Sequence, residues 1–208
     1  MKGLLLKDWY MMKKYCRAYL LIAVVFIAVS FFNAENMFFV FYPCLLCSMI
    51  PVNLLAYDER SRWMLYSCTL PCSKAQLVSA KYLIGLFSQA AILLATAVAQ
   101  GMRMALNGCF QLQEFVFLLM MLFTIATISS SISMPFVFKL GVEKGRIAYY
   151  VMIGFVCAAS IVASKLFQSD LQAQVRPNLP LTALALAGVG AYALSWALSI
   201  RFYQKREL

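Results

Sequence analysis

Apolar residues run along this chain in long stretches that are separated by short polar segments. A membrane helix needs about 20 apolar residues to cross the hydrocarbon core of a bilayer. By that measure the pattern predicts six spans, at about residues 15–32, 37–56, 82–100, 115–138, 147–163 and 179–200. The fold class that we expect is an all-α membrane protein, with residues 1–208 forming a single transmembrane domain.

The segment before the first span is amphipathic. On a helical wheel its cations share one arc, which holds Lys2, Lys7, Lys13, Lys14 and Arg17. Most of the opposite arc is apolar and aromatic, with Leu4, Leu5, Trp9, Met11, Met12 and Tyr15. This pattern is typical of a helix in the headgroup region, although the same cations could simply flank the first span. Asp8 falls on the apolar side, where a carboxylate needs a cation, so we predict a partner such as Lys81 or a basic group on another subunit.

Residues 57–81 form a charged hairpin between the second and third spans, and six of its residues carry charge. We expect a short polar helix, opened by Asp58, Glu59, Arg60 and Arg62, with Trp63, Tyr66 and Leu70 on one face. Pro71 should end that helix. Ser73 and Gln76 form a capping-box pattern, which predicts that the next helix begins at Lys74. The charges could belong to a solvated loop that only fixes topology. The aromatic face favours a surface that contacts another protein.

The second half of the fourth span is rich in hydroxyl groups, and we expect Pro135 to bend or break the helix there. The interpretation that we favour is that these hydroxyls support the backbone of a bent helix. The alternative is a polar strip along a translocation pathway, for which Thr127, Ser130 and Ser131 are the candidates.

Lysine and arginine are distributed unevenly between the two sides of the predicted bundle. Fifteen of them lie on the side of the N-terminus and three on the other. The positive-inside rule therefore predicts that both termini lie in the cytosol. Because the net charge of +10 is concentrated beside apolar runs, it indicates topology and argues against a nucleic-acid partner.

The residue types exclude several kinds of chemistry. The chain has no histidine and no G-x-x-x-x-G-K-[ST] motif, so we expect no ATP site, no enzymatic activity and no bound cofactor or metal. No acid or base lies in the middle of a predicted span, which disfavours an ion-coupled carrier. The seven cysteines lie mostly in apolar or cytosolic segments, so we expect no structural disulfide.

Three segments resemble the bacterial ABC-2 type permeases, and more narrowly the short six-span permease subunits of small exporters. These segments are LLLKDWYMMKKY, YDERSRWMLYSCTLPCSKAQLVSAKYL and FKLGVEKGR. The hairpin carries most of the resemblance, with one residue more between Glu59 and Tyr66 than the family pattern has. The family pattern is matched by Asp58, Glu59, Tyr66, Leu70, Pro71, Ser73, Lys81 and Tyr82.

The resemblance implies an interfacial elbow helix at about 2–14 and a coupling helix between spans 2 and 3. The coupling helix would contact a separate ABC ATPase through Asp58, Glu59, Arg60, Arg62, Trp63, Tyr66 and Leu70, with a second contact through Glu143, Lys144 and Arg146. The resemblance also implies a multi-pass protein of the bacterial plasma membrane that contacts membrane lipids. It implies a second permease subunit as well, identical or different. ATP and Mg²⁺ would be held by the ATPase.

On these grounds we interpret the chain as the permease subunit of an ATP-driven exporter of an amphipathic substrate, such as a peptide, a lipid or a drug. A non-transporting membrane scaffold or immunity protein remains an alternative. The small residues of the third and sixth spans would suit contact with another membrane protein equally well. A secondary carrier is a weaker third hypothesis.

Overall fold

The computed structural model describes the chain except for residues 1, 33–37, 68, 70–72, 109–110, 146, 148–149, 152–153, 155–177 and 206–208. Its helices are α1 (Lys2–Tyr15), α2 (Arg17–Phe32), α3 (Phe38–Ser48), α4 (Ile50–Arg60), α5 (Trp63–Ser67), α6 (Lys74–Leu106), α7 (Leu112–Leu140) and α8 (Asn178–Gln204). The regular structure of the described part is helical, which confirms the predicted all-α class.

Four helical segments are long and apolar enough to cross a membrane: Phe38–Arg60, which joins α3 and α4, Lys74–Leu106, Leu112–Leu140 and Ala185–Gln204. The pair formed by α1 and α2 would be a fifth if it were counted as one broken span. The predicted span at 147–163 lies largely outside the described residues. The described part therefore holds four or five candidate spans, and the count of six stays a prediction.

A sharp bend separates α1 from α2. The two helices meet at Cys16 with an angle of 67° between them. The buried face of α1 is formed by Leu4, Asp8 and Met12, which are spaced four residues apart and therefore lie on one side of the helix. This face packs against α6, so α1 runs along the bundle as a separate element.

The second predicted span is interrupted at Met49, and α4 begins at Ile50 with Pro51 in its first turn. Proline is tolerated in the first turn of a helix because the amide of that position has no partner within the helix. Pro51 packs closely on α6, since a Cβ added at Gly85 would lie 2.8 Å from Pro51 Cγ. Gly85 therefore permits the contact between α4 and α6.

Tyr82 of α6 lies at the centre of the contact with α8. Its hydroxyl group is 2.8 Å from Ser195 Oγ and 2.7 Å from Ser199 Oγ. Tyr192 donates a hydrogen bond of 3.1 Å to the carbonyl oxygen of Tyr82, and the ring of Trp196 stacks on the ring of Tyr82. Because buried polar groups are costly unless they are hydrogen-bonded, these contacts fix how α8 lies against α6.

Candidate functional site

Four charged side chains meet where α1, the end of α4 and the start of α6 come together, and we call them the ion network. Lys81 Nζ lies 2.6 Å from Asp8 Oδ1 and 2.6 Å from Asp58 Oδ2. Lys7 Nζ lies 2.7 Å from Asp58 Oδ1 and 3.5 Å from Asp8 Oδ1. Each carboxylate thus contacts both ammonium groups. The predicted pairing of Asp8 with Lys81 is confirmed.

The ion network is almost completely buried. The exposed fractions of Asp8, Asp58 and Lys81 are 2%, 3% and 6%, whereas Lys7 is partly exposed. Charges removed from water are tolerated only when they are paired closely, and here two acids are matched by two bases. Moving α4 or α6 away from the others would leave the buried charge of Asp58 or Lys81 unpaired. Moving α1 away would break the two short pairs that it makes with α4 and α6, so the network holds the three helices in one arrangement.

The start of α6 is fixed by a capping box, as predicted. Ser73 Oγ accepts a hydrogen bond of 3.3 Å from the amide of Gln76, and the amide of Ser73 donates one of 3.2 Å to Gln76 Oε1. The helix begins at Lys74. Because the cap sets where the helix starts, it also sets the direction in which Lys81, two turns further on, points towards the two aspartates.

The hairpin helix begins at Trp63, so the prediction that Asp58 opens it is wrong. Asp58, Glu59 and Arg60 are the last residues of α4. A turn follows, in which Arg62 has a φ of 53°, and α5 begins after it. The physical reason is that Asp58 is paired inside the bundle, which lets α4 continue through the charged residues. Leu70 and Pro71 lie outside the described residues.

Trp63 and Tyr66 share one face of α5, as predicted, with their ring centroids 5.3 Å apart. Trp63 is half-buried, and Lys7 Nζ of the ion network lies 4.0 Å from the centroid of its ring. Tyr66 is 58% exposed, and Arg60 and Arg62 are also exposed. The hairpin therefore has one aromatic ring against α1 and an exposed ring and two cations on its surface. The contact of these residues with an ATPase stays a prediction.

Glu59 connects the hairpin to the segment that follows α7. Its Oε2 accepts a hydrogen bond of 3.1 Å from the amide of Val142, at the start of the helical residues 142–145. A carboxylate is favourable at the start of a helix, where the amides lack partners within the helix. Glu143 and Lys144 are exposed beside this contact, while Arg146 lies outside the described residues. The second contact therefore also stays a prediction.

Two glycines place this segment against α7. Gly141 has a φ of 84°, a conformation that other residues adopt at a cost. A Cβ added at Gly145 would lie 2.8 Å from Val137 Cα, which is backbone and has little freedom to move. The glycines thus let the segment lie directly on α7.

Gly145→Ala is expected to destabilise the protein by about 1–3 kcal/mol, because the added methyl group overlaps the backbone of α7. The shift of the midpoint of thermal unfolding in detergent measures this. The matched control is Gly190→Ala in α8, where an added Cβ meets nothing within 4 Å. Equal midpoints for the two variants would contradict the close contact.

The hydroxyl-rich part of α7 is packed inside the chain. Thr127, Ser130 and Ser131 are all buried. Thr127 donates to the carbonyl oxygen of Phe123 at 2.9 Å, and Ser130 accepts a hydrogen bond from Gln89 Nε2 of α6. These contacts agree with the favoured interpretation, in which the hydroxyls support helix backbone and helix contacts. The pathway role of these three residues stays a prediction.

Lys7 and Asp58 are the members of the ion network that sequence reasoning did not bring together. The sequence pattern predicts that Lys7 lies on the basic face of α1 and that Asp58 lies on the surface of the hairpin. The signal that could have found them is the same as for Asp8. Asp58 follows directly on the apolar second span, so its carboxylate lies where a cation is needed.

The sequence model of one protein family, described as ABC-2 family transporter protein, matches residues 3–204. A comparison with curated proteins and one with solved structures found no match. The family match includes nearly all of α1, the hairpin and the other helices that form the ion network. The chain therefore belongs to the ABC-2 family of transporter proteins.

Proposed function

We propose that this chain is the permease subunit of an exporter that is driven by a separate ABC ATPase. The observation that carries the proposal is the ion network, which attaches the exposed hairpin to two other helices of the bundle. A subunit with no nucleotide motif of its own needs a place where a partner can move it, and the hairpin has both an exposed surface and rigid attachments. The family of the chain supports the permease role.

The topology that we propose has six spans with both termini in the cytosol, as the distribution of lysine and arginine predicts. In this arrangement α1 lies along the cytosolic surface of the membrane as an elbow helix, and its bend of 67° from α2 marks the entry into the bilayer. The hairpin and residues 139–146 face the cytosol, where an ATPase would bind. The protein would reside in the bacterial plasma membrane.

Motion would pass from the ATPase to the bundle through two connections. The first runs from α5 to Lys7 through the ring of Trp63, and from Asp58 to Lys81 through the ion network. A displaced hairpin would therefore carry α1 and α6 with it. The second runs from Glu59 to Val142, so that residues 139–146 would follow the hairpin.

The substrate class that we propose is amphipathic, such as a peptide, a lipid or a drug. Two permease subunits would form the complex, identical or different, with the pathway between them. The ATPase subunits would hold ATP and Mg²⁺, and this chain would bind neither.

Site-specific photo-cross-linking tests the proposal. With a photoreactive amino acid in place of Tyr66, we expect a covalent adduct with a P-loop ATPase in native membranes, identified by mass spectrometry. The same amino acid in place of Leu106, exposed at the opposite end of α6, is the matched control. Adducts with an ATPase from both positions, or from neither, would contradict the proposed docking surface.

A further inference from the structure

A cleft of about 300 Å³ opens where α1 meets α2 and the end of α4 passes beside them. Among the described residues, its walls carry hydrogen-bond donors and no carboxylate. They are formed by Tyr15, Tyr19, Asn53, Ala56, Tyr57 and Arg60. Three tyrosines, one asparagine and one arginine therefore line the same space, and this combination favours an anionic ligand.

Two stacked rings form one wall of the cleft. The rings of Tyr15, the last residue of α1, and Tyr57 of α4 stack with centroids 4.2 Å apart and an angle of 24°. Because these residues come from two helices that the ion network also joins, contacts within the chain position the two rings. A preorganised site binds with a smaller loss of conformational entropy.

The charge of Arg60 is not neutralised within the described part of the chain. The two acids beside it on α4 point elsewhere, since Asp58 pairs with Lys7 and Lys81, and Glu59 accepts from the amide of Val142. The exposed guanidinium group thus lines the cleft with no carboxylate as its partner. It remains available to an anion.

We propose that this cleft is a phosphate-binding site. A guanidinium group recognises two phosphate oxygens at once, and phenol hydroxyls supply further donors. The source that the position favours is a phospholipid headgroup, because tyrosine and arginine side chains beside an interfacial helix lie at headgroup depth. The assignment of a lipid as the source of the phosphate rests on the proposed topology. Recognition of phosphate itself rests on the residues of the cleft alone.

The test uses the purified full-length chain without an ATPase, so that its result does not depend on the proposed transport role. One arm measures the binding of phosphatidylglycerol, with diacylglycerol of the same acyl chains as the phosphate-free comparison, by native mass spectrometry. The other arm measures the shift in thermal unfolding midpoint with inorganic phosphate. Binding in the first arm alone identifies a lipid headgroup, and a shift in the second identifies a soluble phosphate as well.

Two variants decide whether the cleft is responsible. Arg60→Gln should weaken binding of the ligand that binds the wild type by about tenfold or more, because it removes the guanidinium group. Tyr57→Phe should weaken it by a few fold, because it keeps the ring stack and removes one hydroxyl group. The controls are Arg201→Gln and Tyr10→Phe, both at exposed positions outside the cleft. If neither ligand binds, or if the cleft variants bind as well as the controls, the proposal is overturned.

Discussion

Replacing Lys81 by alanine is expected to destabilise the folded chain by about 3–5 kcal/mol, the cost of leaving a buried ion pair without one partner. Lys81 is the only member of the described network that lies 2.6 Å from both carboxylates. Without it, Asp8 and Asp58 would keep only the ammonium group of Lys7, which is partly exposed. The measurement is equilibrium unfolding in mixed micelles, compared with the wild type.

The control for this variant is Lys2→Ala, which removes an exposed cation from α1 and should change stability by less than about 0.5 kcal/mol. A double-mutant cycle between Asp8→Ala and Lys81→Ala adds a direct measure of the pair, with an expected coupling of about 0.5–3 kcal/mol. A loss of stability in Lys81→Ala no larger than in Lys2→Ala would show that the network does not hold the helices together.

Replacing all four charged residues of the ion network by apolar ones separates the effect of the network on stability from its effect on transport. When a buried ion network is replaced by apolar residues of similar size, stability is often retained or increased. A combined variant should therefore be more stable than Lys81→Ala alone. Its substitutions are Lys7→Met, Asp8→Leu, Asp58→Leu and Lys81→Met. If the charges serve to transmit motion, this combined variant should still fail to support ATP-dependent transport.

The elements of the fold that sequence predicts well are those that depend on local pattern. The run of apolar residues at 82–100 lies within α6, and Ser73 with Gln76 fixes where that helix begins. A capping box involves residues only three positions apart, so its chemistry is visible in the sequence. The same holds for the face shared by Trp63 and Tyr66.

What the sequence did not predict depends on partners far along the chain. Asp58 binds Lys7, 51 positions away, and this pairing draws the end of α4 into the bundle. Helix periodicity carries no information about such a contact, so the charged residues from Asp58 onwards indicate a new surface helix. The link from Glu59 to Val142, 83 positions away, was missed for the same reason. Asp8 was the exception, because a single acid on an otherwise apolar face already requires a cation.

The second large effect is expected at the hairpin surface, where Trp63→Ala should abolish ATP-dependent transport while the chain still inserts and folds. The ring of Trp63 is the contact through which α5 rests on Lys7, and it also supports the exposed ring of Tyr66. Because Trp63 is only half-buried and lies outside the ion network, its removal should leave the bundle intact. The measurement is the ATPase activity and substrate efflux of the reconstituted complex.

Glu59→Arg should also abolish ATP-dependent transport. It replaces the acceptor of the Val142 amide with a cation and so breaks the link between the hairpin and the segment that follows α7. The conservative variants Trp63→Phe and Glu59→Gln keep an aromatic ring and an acceptor oxygen, so they should retain much of the activity. The two variants at each position differ in whether they keep the contact. Comparing them therefore distinguishes a loss of coupling from a general loss of stability. Full transport by both Trp63→Ala and Glu59→Arg would mean that the driving motion enters the permease somewhere other than the hairpin.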